Sequence, residues 1–173
     1  DQGFEVFLVE RRHELGGHLR NLRYNEQGDD MREYVGRLKG RIEGNSLIKV
    51  FTGAELSDVT GYVGNYHSTL KQGDRETVLE HGVFIVATGA TEYRPTEFLY
   101  GKDERVKTQT ELERLISEDT PRLKGAEHVV MIQCVGSREP EHPWCSRICC
   151  TEAIKNALRL KRLEPSRNVY ILY

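Results

Sequence analysis

Apolar positions in this chain come in two patterns, and the patterns alternate. Phe4 to Val9 (FEVFLV) is a short continuous run rich in aromatic and β-branched residues, which predicts a buried strand of parallel type ending at Glu10. From Asp29 to Gly44, Met31, Tyr34, Val35, Leu38 and Ile42 recur at helical spacing behind acidic residues, which predicts an amphipathic helix with Gly44-Asn45 as its stop. Leu47 to Phe51 (LIKVF) predicts a further strand. Between Glu55 and Glu80, short β-type segments broken by Gly61, Gly64-Asn65 and Gly73-Asp74 predict an antiparallel meander lying over one face of the parallel sheet. His67 and His81 have no partners in the sequence that would make a site and read as surface or satisfied histidines.

The second half repeats the alternation. Gly82 to Gly89 (GVFIVATG) is a continuous apolar run, read as a central strand buried on both faces, and Arg94-Pro95 marks an exit from regular structure. Thr108 followed by Glu111 is a capping box ahead of Leu112, Leu115 and Ile116, so a helix is expected over 107–119. Then come a strand at Val129 to Ile132, a loop, a helix with Ile148, Ala153, Ile154, Ala157 and Leu158 on one side, and a strand at Val169 to Leu172. The expected class is α/β: an incomplete Rossmann-like dinucleotide-binding domain with a meander over residues 1–123, followed by the start of a second nucleotide-binding-like βαβ unit over 124–173.

Composition narrows the function classes. The 173 residues are 38% hydrophobic and 30% charged, with a formal net charge of -2, so there is no basic footprint for nucleic acid. No apolar run has the length to cross a bilayer, and the opening DQGFEVFLVE does not read as a secretory leader. A reducing, cytoplasmic setting is therefore expected, in which cysteines serve as ligands rather than as disulfides. The first residue is not Met and strand-like runs lie close to both ends, so the chain is expected to be part of a longer protein.

The strongest chemical signal is CVGSREPEHPWCSRICC, which gathers all four cysteines of the chain, Cys134, Cys145, Cys149 and Cys150. Thiolates are soft ligands, and three readings remain open: an iron–sulfur cluster, a zinc site and a redox dithiol. The adjacent pair suits a single small ion less well than a larger cluster, and no CxxC is present. Ser146 is a candidate N-cap that would put Cys149 and Cys150 in the first turn of the following helix. There the dipole and orphan N–H groups favour thiolate charge, and Arg138 and Arg147 add positive charge. A second signal is Glu10 at a strand end, the place from which a carboxylate holds a ribose in dinucleotide-binding folds.

Two stretches, ERRHELGGHL and VFIVATGATEYRP, resemble segments of flavoproteins with two dinucleotide-binding domains. The string MIQCVGSREPEHPWCSRICCTEA resembles the cysteine signature of the heterodisulfide reductase A-subunit family, iron–sulfur flavoproteins of anaerobes. That resemblance implies FAD, with Glu10 as ribose ligand, Arg11 and Gly17 nearby, Ala54 in the turn facing the adenine, and Thr88 and Gly89 approaching the dinucleotide. It also implies a 4Fe-4S cluster on Cys134, Cys145, Cys149 and Cys150, with no residue assigned as catalytic. The implied function is electron transfer in an oxidoreductase complex, with electron bifurcation toward a heterodisulfide and ferredoxin. Its implied partners are the other subunits of such a reductase, a hydrogenase or dehydrogenase donor, and ferredoxin. Two departures from the family pattern stand in the sequence: it holds neither the Gly-rich FAD turn nor ferredoxin-like cluster motifs. The rival expectations are a zinc-stabilised, non-enzymatic interaction module and a flavin-linked thiol–disulfide oxidoreductase.

Overall fold

The computed structural model describes residues 2–118 and 121–173, and the end of the helix expected over 107–119 falls at Asp119, outside the described residues. The chain divides into two compact units. One comprises residues up to Arg20 with Arg32–Ala90, the other Asn21–Met31 with Thr91–Tyr173.

The first unit opens with a βαβ crossover. Strand β1 (Val6–Glu10) pairs in parallel with β2 (Ile48–Thr52), placing Val6 opposite Ile48 and Glu10 opposite Thr52, and helix α1 (Met31–Glu43) lies between them in sequence. The helix is favoured by Glu33 in its first turn and by a Glu33–Arg37 pair at 2.5 Å, one turn apart. It stops where Gly44 donates to the Gly40 carbonyl and Asn45 accepts from the Leu47 amide through its side chain. Val35 is its buried residue.

The expected meander is present as β3 (Glu55–Tyr62), β4 (Asn65–Gln72) and β5 (Arg75–His81), a three-stranded antiparallel sheet. Gly73-Asp74 closes the β4–β5 hairpin with Gln72 opposite Arg75. The histidines are satisfied locally. His81 Nε2 lies 2.7 Å from Ser68 Oγ, its Nδ1 lies 3.0 Å from the Val83 carbonyl, and His67 faces Glu80.

Two expectations of burial are corrected. Residues 83–88 form no strand, and Val83, Phe84, Ile85 and Val86 are between 42% and 81% exposed. A strand buried on both faces needs a neighbour on each side, and among the described residues no strand pairs with this run. For the same reason β1, in a sheet of two strands, is half exposed rather than buried, with Val6 and Val9 open to solvent.

The second unit is organised around another parallel crossover, β6 (His128–Ile132), α3 (Cys149–Leu163) and β7 (Asn168–Leu172), with Val129 opposite Val169 and Ile132 opposite Leu172. Helix α2 (Gln109–Ser117) packs on α3 and starts with the expected capping box: Thr108 Oγ1 accepts from the Glu111 amide and Glu111 Oε2 accepts from the Thr108 amide. Tyr24, Ile116, Met131, Ala153 and Leu160 make the core, and Leu112, Val129, Ala157 and Val169 pack against it. Each fully buried side chain of this size contributes about 1.5–3 kcal/mol.

The expected apolar side of α3 is also corrected. Its buried positions are Ala153, Lys155, Asn156 and Leu160, whereas Ile148, Ile154 and Leu158 are half exposed. Ile154 and Leu158 instead border an open groove of about 490 Å³ against Val169, Tyr170 and Ile171. The helix is turned so that its two polar residues meet buried partners on α2 and on the 21–31 segment.

Candidate functional site

The cysteine loop runs from the carboxyl end of β6 to the first turn of α3, the crossover position at which parallel α/β sheets place their ligands. Its backbone is strained. Among the described residues, five non-glycine residues adopt positive φ, and three of them lie in this loop: Cys134 (61°), Arg138 (60°) and Arg147 (59°). Each such conformation costs about 1–3 kcal/mol and persists where surrounding contacts impose it, which is characteristic of ligand-holding segments.

Those contacts can be named. The Ser137 amide donates to the Cys134 carbonyl, closing a turn directly after β6. Glu139 and His142 exchange backbone hydrogen bonds, and the Arg138 amide donates to the Trp144 carbonyl, so the loop folds back on itself before Cys145. Gly136 has φ +70°, and a Cβ there would lie 2.5 Å from the Tyr93 ring. Glycine is required both by the backbone and by that ring.

All four cysteines are free thiols; Cys134 and Cys149 are half-buried, Cys145 and Cys150 exposed. They are grouped closely enough to interact electrically. The Cys150 thiol is pushed up from its ordinary value first by the charge of Cys149, then by desolvation, a hydrogen bond with Cys149, and the charges of Cys134 and Cys145. Donors approach two of the sulfurs: the Arg138 guanidinium lies 3.8 Å from Cys134 Sγ, and the Arg147 amide lies 3.3 Å from Cys145 Sγ. Among the described residues no three His, Cys, Asp or Glu side chains converge on a point that would hold a single metal ion.

The expected N-cap is corrected. Ile148 occupies that position and makes no capping hydrogen bond, while Ser146 Oγ accepts from the Ile148 amide at 3.4 Å, just ahead of the helix. Ser146 sits two residues too early to cap α3, and Arg147, left-handed, reverses the chain between it and the cap position. Cys149 and Cys150 are nevertheless the first two residues of the helix. A donor set of four thiols with charge-assisted and peptide N–H donors on the sulfurs fits an iron–sulfur cluster by its chemistry.

The second candidate region is the carboxyl edge of β1 and β2. Glu10 ends β1, and its Oε1 accepts from the Arg12 amide at 2.8 Å. The Ala54 amide donates to the Glu10 carbonyl, and the Gly53 amide donates to the Arg12 carbonyl. Glu10, the loop that follows it and the buried Ala54 therefore share one edge. Gly53 has φ +61° and backs onto the His13 ring, 2.8 Å from where a Cβ would stand. Gly17 opens a 3-10 turn over Gly17–Asn21, and Arg11 is exposed. Thr88 and Gly89 are exposed in the irregular stretch after β5, and among the described residues no strand pairing draws them to this edge.

The sequence reading missed a third feature. Glu113, Lys155 and Asn156, on surface-like helical positions by pattern, are buried and joined to one another through Tyr24 and Gln109. Their only sequence signal is that they interrupt the apolar faces of α2 and α3.

The fold and the cysteine loop together define a Rossmann-like α/β protein with a thiol-lined crossover. The fold matches that of L-proline dehydrogenase from P. horikoshii with a TM-score of 0.51, at 17% identity, over 98% of this chain and 31% of that one. No family model matches the chain. In sequence, the chain is similar over its whole length to the A subunits of heterodisulfide reductases.

The A subunit of the H(2)/formate:CoB-CoM heterodisulfide,ferredoxin reductase of Methanococcus maripaludis is 26% identical across all of this chain and 40% of its own length. An iron-sulfur A subunit of the CoB–CoM heterodisulfide reductase of Methanopyrus kandleri is 28% identical with the same coverage. The A subunit of the H(2):CoB-CoM heterodisulfide,ferredoxin reductase of Methanothermobacter marburgensis reaches 40% identity over 59% of this chain and 18% of its own. The chain thus spans about 40% of the length of the first two. The match to the first runs over 264 residues against 173 here, so positions inside it have no counterpart in this chain. These relatives are oxidoreductase subunits by name, and among the described residues of this chain no helix is long and apolar enough to cross a membrane.

Proposed function

We propose that this chain is the electron-transfer part of a cytoplasmic flavin and iron–sulfur oxidoreductase subunit of the heterodisulfide reductase type. The observation that carries the reading is the strained loop that brings four free thiols to the crossover between β6 and α3. Cys134, Cys145, Cys149 and Cys150 would ligate a 4Fe-4S cluster, whose chemistry is one-electron transfer. Arg138 and the Arg147 amide, directed at sulfur, stabilise added negative charge and so raise the potential at which the site accepts an electron.

In the first unit, Glu10 would hold the ribose hydroxyls of FAD, with Arg11 and Gly17 in the loop that follows it. Ala54 would meet the adenine through its backbone, and Thr88 and Gly89 would line the dinucleotide. The partners we propose are the other subunits of such a reductase, a hydrogenase or dehydrogenase donor and ferredoxin, with bifurcation between a heterodisulfide and ferredoxin; the support is that relatives carry H(2), formate, heterodisulfide and ferredoxin in their names.

The reading is tested by anaerobic reconstitution with ferrous iron and sulfide, followed by metal analysis and visible spectroscopy. Brown protein with bound iron is expected. Colourless protein that retains zinc at one equivalent would overturn the reading in favour of a zinc-stapled module.

A further inference from the structure

Cys149, Ala153, Asn156 and Leu160 follow one another at helical spacing along a single stripe of α3, and the last three are fully buried. An apolar stripe alone fixes a helix loosely, because a rotated or shifted helix can still bury aliphatic surface. Asn156 removes that freedom. Its Oδ1 accepts from the Tyr24 hydroxyl at 2.8 Å, and its Nδ2 donates to the Gln109 carbonyl at 3.2 Å and to Gln109 Oε1 at 2.9 Å. The next residue back, Lys155, donates to Glu113 Oε2 at 2.7 Å, and its ammonium lies 5.1 Å from the centre of the Tyr24 ring. Glu113, itself fully buried, turns its other oxygen to the Arg23 and Tyr24 amides.

Every partner in this network is fixed by something else. Gln109 begins α2 behind its capping box, and Glu113 lies one turn further along the same helix. Tyr24 sits in a loop held by the Asn25 side chain, which accepts from the Gly28 and Asp29 amides. A slip of one residue would rotate α3 by about 100° and shift it by about 1.5 Å, leaving several buried polar groups without partners. Only one register satisfies them all.

We propose that Tyr24, Gln109, Glu113, Lys155 and Asn156 form a register lock for α3 that places Cys149 and Cys150 against Cys134 and Cys145. They are positioning residues of the thiol site, acting through the helix and touching no ligand. The idea rests on the cluster reading above for its purpose, but the lock itself can be measured without metal.

The variant that separates positioning from stability is Tyr24→Phe with Asn156→Leu, which removes the hydrogen bonds of Asn156 to Tyr24 and to Gln109 while keeping side-chain bulk. Two measurements are made on the full chain. In the metal-free protein, Cys149 is half-buried, and its labelling by a thiol reagent is limited by the surroundings that cover it. In the variant, the Cys149 rate rises above its wild-type value, while circular dichroism shows the helix content retained. In iron-reconstituted protein, loss of iron to a chelator quickens by roughly 10–100-fold and the electron paramagnetic resonance signal of the reduced site changes shape.

Unchanged Cys149 labelling in a folded variant would overturn the lock, and so would an unchanged resonance signal in a variant that is merely less heat-stable. If the wild-type chain takes up no iron, the cluster reading fails separately, and thiol labelling still decides on the lock. Should the double variant not fold, Tyr24→Phe alone, which keeps the Gln109 bonds to Asn156, gives the same comparison with a smaller expected change.

Discussion

Replacing Glu113 by Ala should be the most destabilising single change in the second unit outside its apolar core. The carboxylate is fully buried and holds three donors: the Lys155 ammonium at 2.7 Å and the amides of Arg23 and Tyr24 at 2.5 and 3.3 Å. Removing it leaves Lys155, whose side chain is 7% exposed, as an unpaired buried cation, which costs about 3–5 kcal/mol. The two amides add about 1–3 kcal/mol each if no water reaches them. Water entering the vacated space offsets part of this, so a net loss of about 4–6 kcal/mol is expected, comparable to the whole stability of many domains.

The ion-pair share is separable from the amide share. Adding Lys155→Met to Glu113→Ala removes the stranded charge and should recover about half of the loss, because an apolar replacement of a buried pair is close to neutral. Urea unfolding followed by circular dichroism measures both variants. A Glu113→Ala protein within about 1 kcal/mol of wild type, or a double variant no more stable than the single, would refute the account of this network.

Gly136→Ala should destabilise by about 2 kcal/mol or more, since it combines a left-handed backbone with a methyl group inside the Tyr93 ring; thermal melting should show Tyr93→Ala restoring only the steric part. Arg138→Gln should lower the midpoint potential of the reconstituted site by on the order of 50 mV, the effect of a single charge about 4 Å from sulfur in a water-like dielectric; an unchanged potential would remove Arg138 from the site's electrostatics. Tyr24 supplies a pH signature. Burial first, and the charge of Glu113 second, push its phenol above the ordinary 10.0. The neutral phenol therefore favours the folded chain fully below pH 10, and that contribution is lost as pH rises above 10, where the unfolded chain ionises first. Unfolding measured across that range should fall off more steeply in wild type than in Tyr24→Phe.

What could be read from the sequence was local. The Thr108–Glu111 capping box, the Gly73-Asp74 hairpin and both βαβ crossovers depend on neighbouring residues, and each formed as its pattern implied. The cysteine loop was legible because thiols are rare and their crowding is visible without a fold. Burial was less legible, since it depends on what arrives from far along the chain. Residues 83–88 are apolar enough for a central strand, yet the described chain pairs nothing with them. Glu113 and Asn156 look like solvated helix positions until Tyr24, about ninety and 130 residues away, closes over them. Ser146 failed as a cap because of the left-handed turn at Arg147, a conformation that no side-chain pattern announces.

The central claim is that the four thiols of the crossover loop hold one iron–sulfur cluster. It is tested most directly by the electron paramagnetic resonance spectrum of the anaerobically reconstituted, dithionite-reduced chain, taken beside Cys134→Ser, Cys145→Ser, Cys149→Ser and Cys150→Ser. The account predicts one low-temperature signal of a reduced 4Fe-4S cluster in wild type, with about four irons per chain, weakened or altered by each substitution. A reconstituted wild type that is silent and iron-free, or a signal indifferent to all four substitutions, would contradict it.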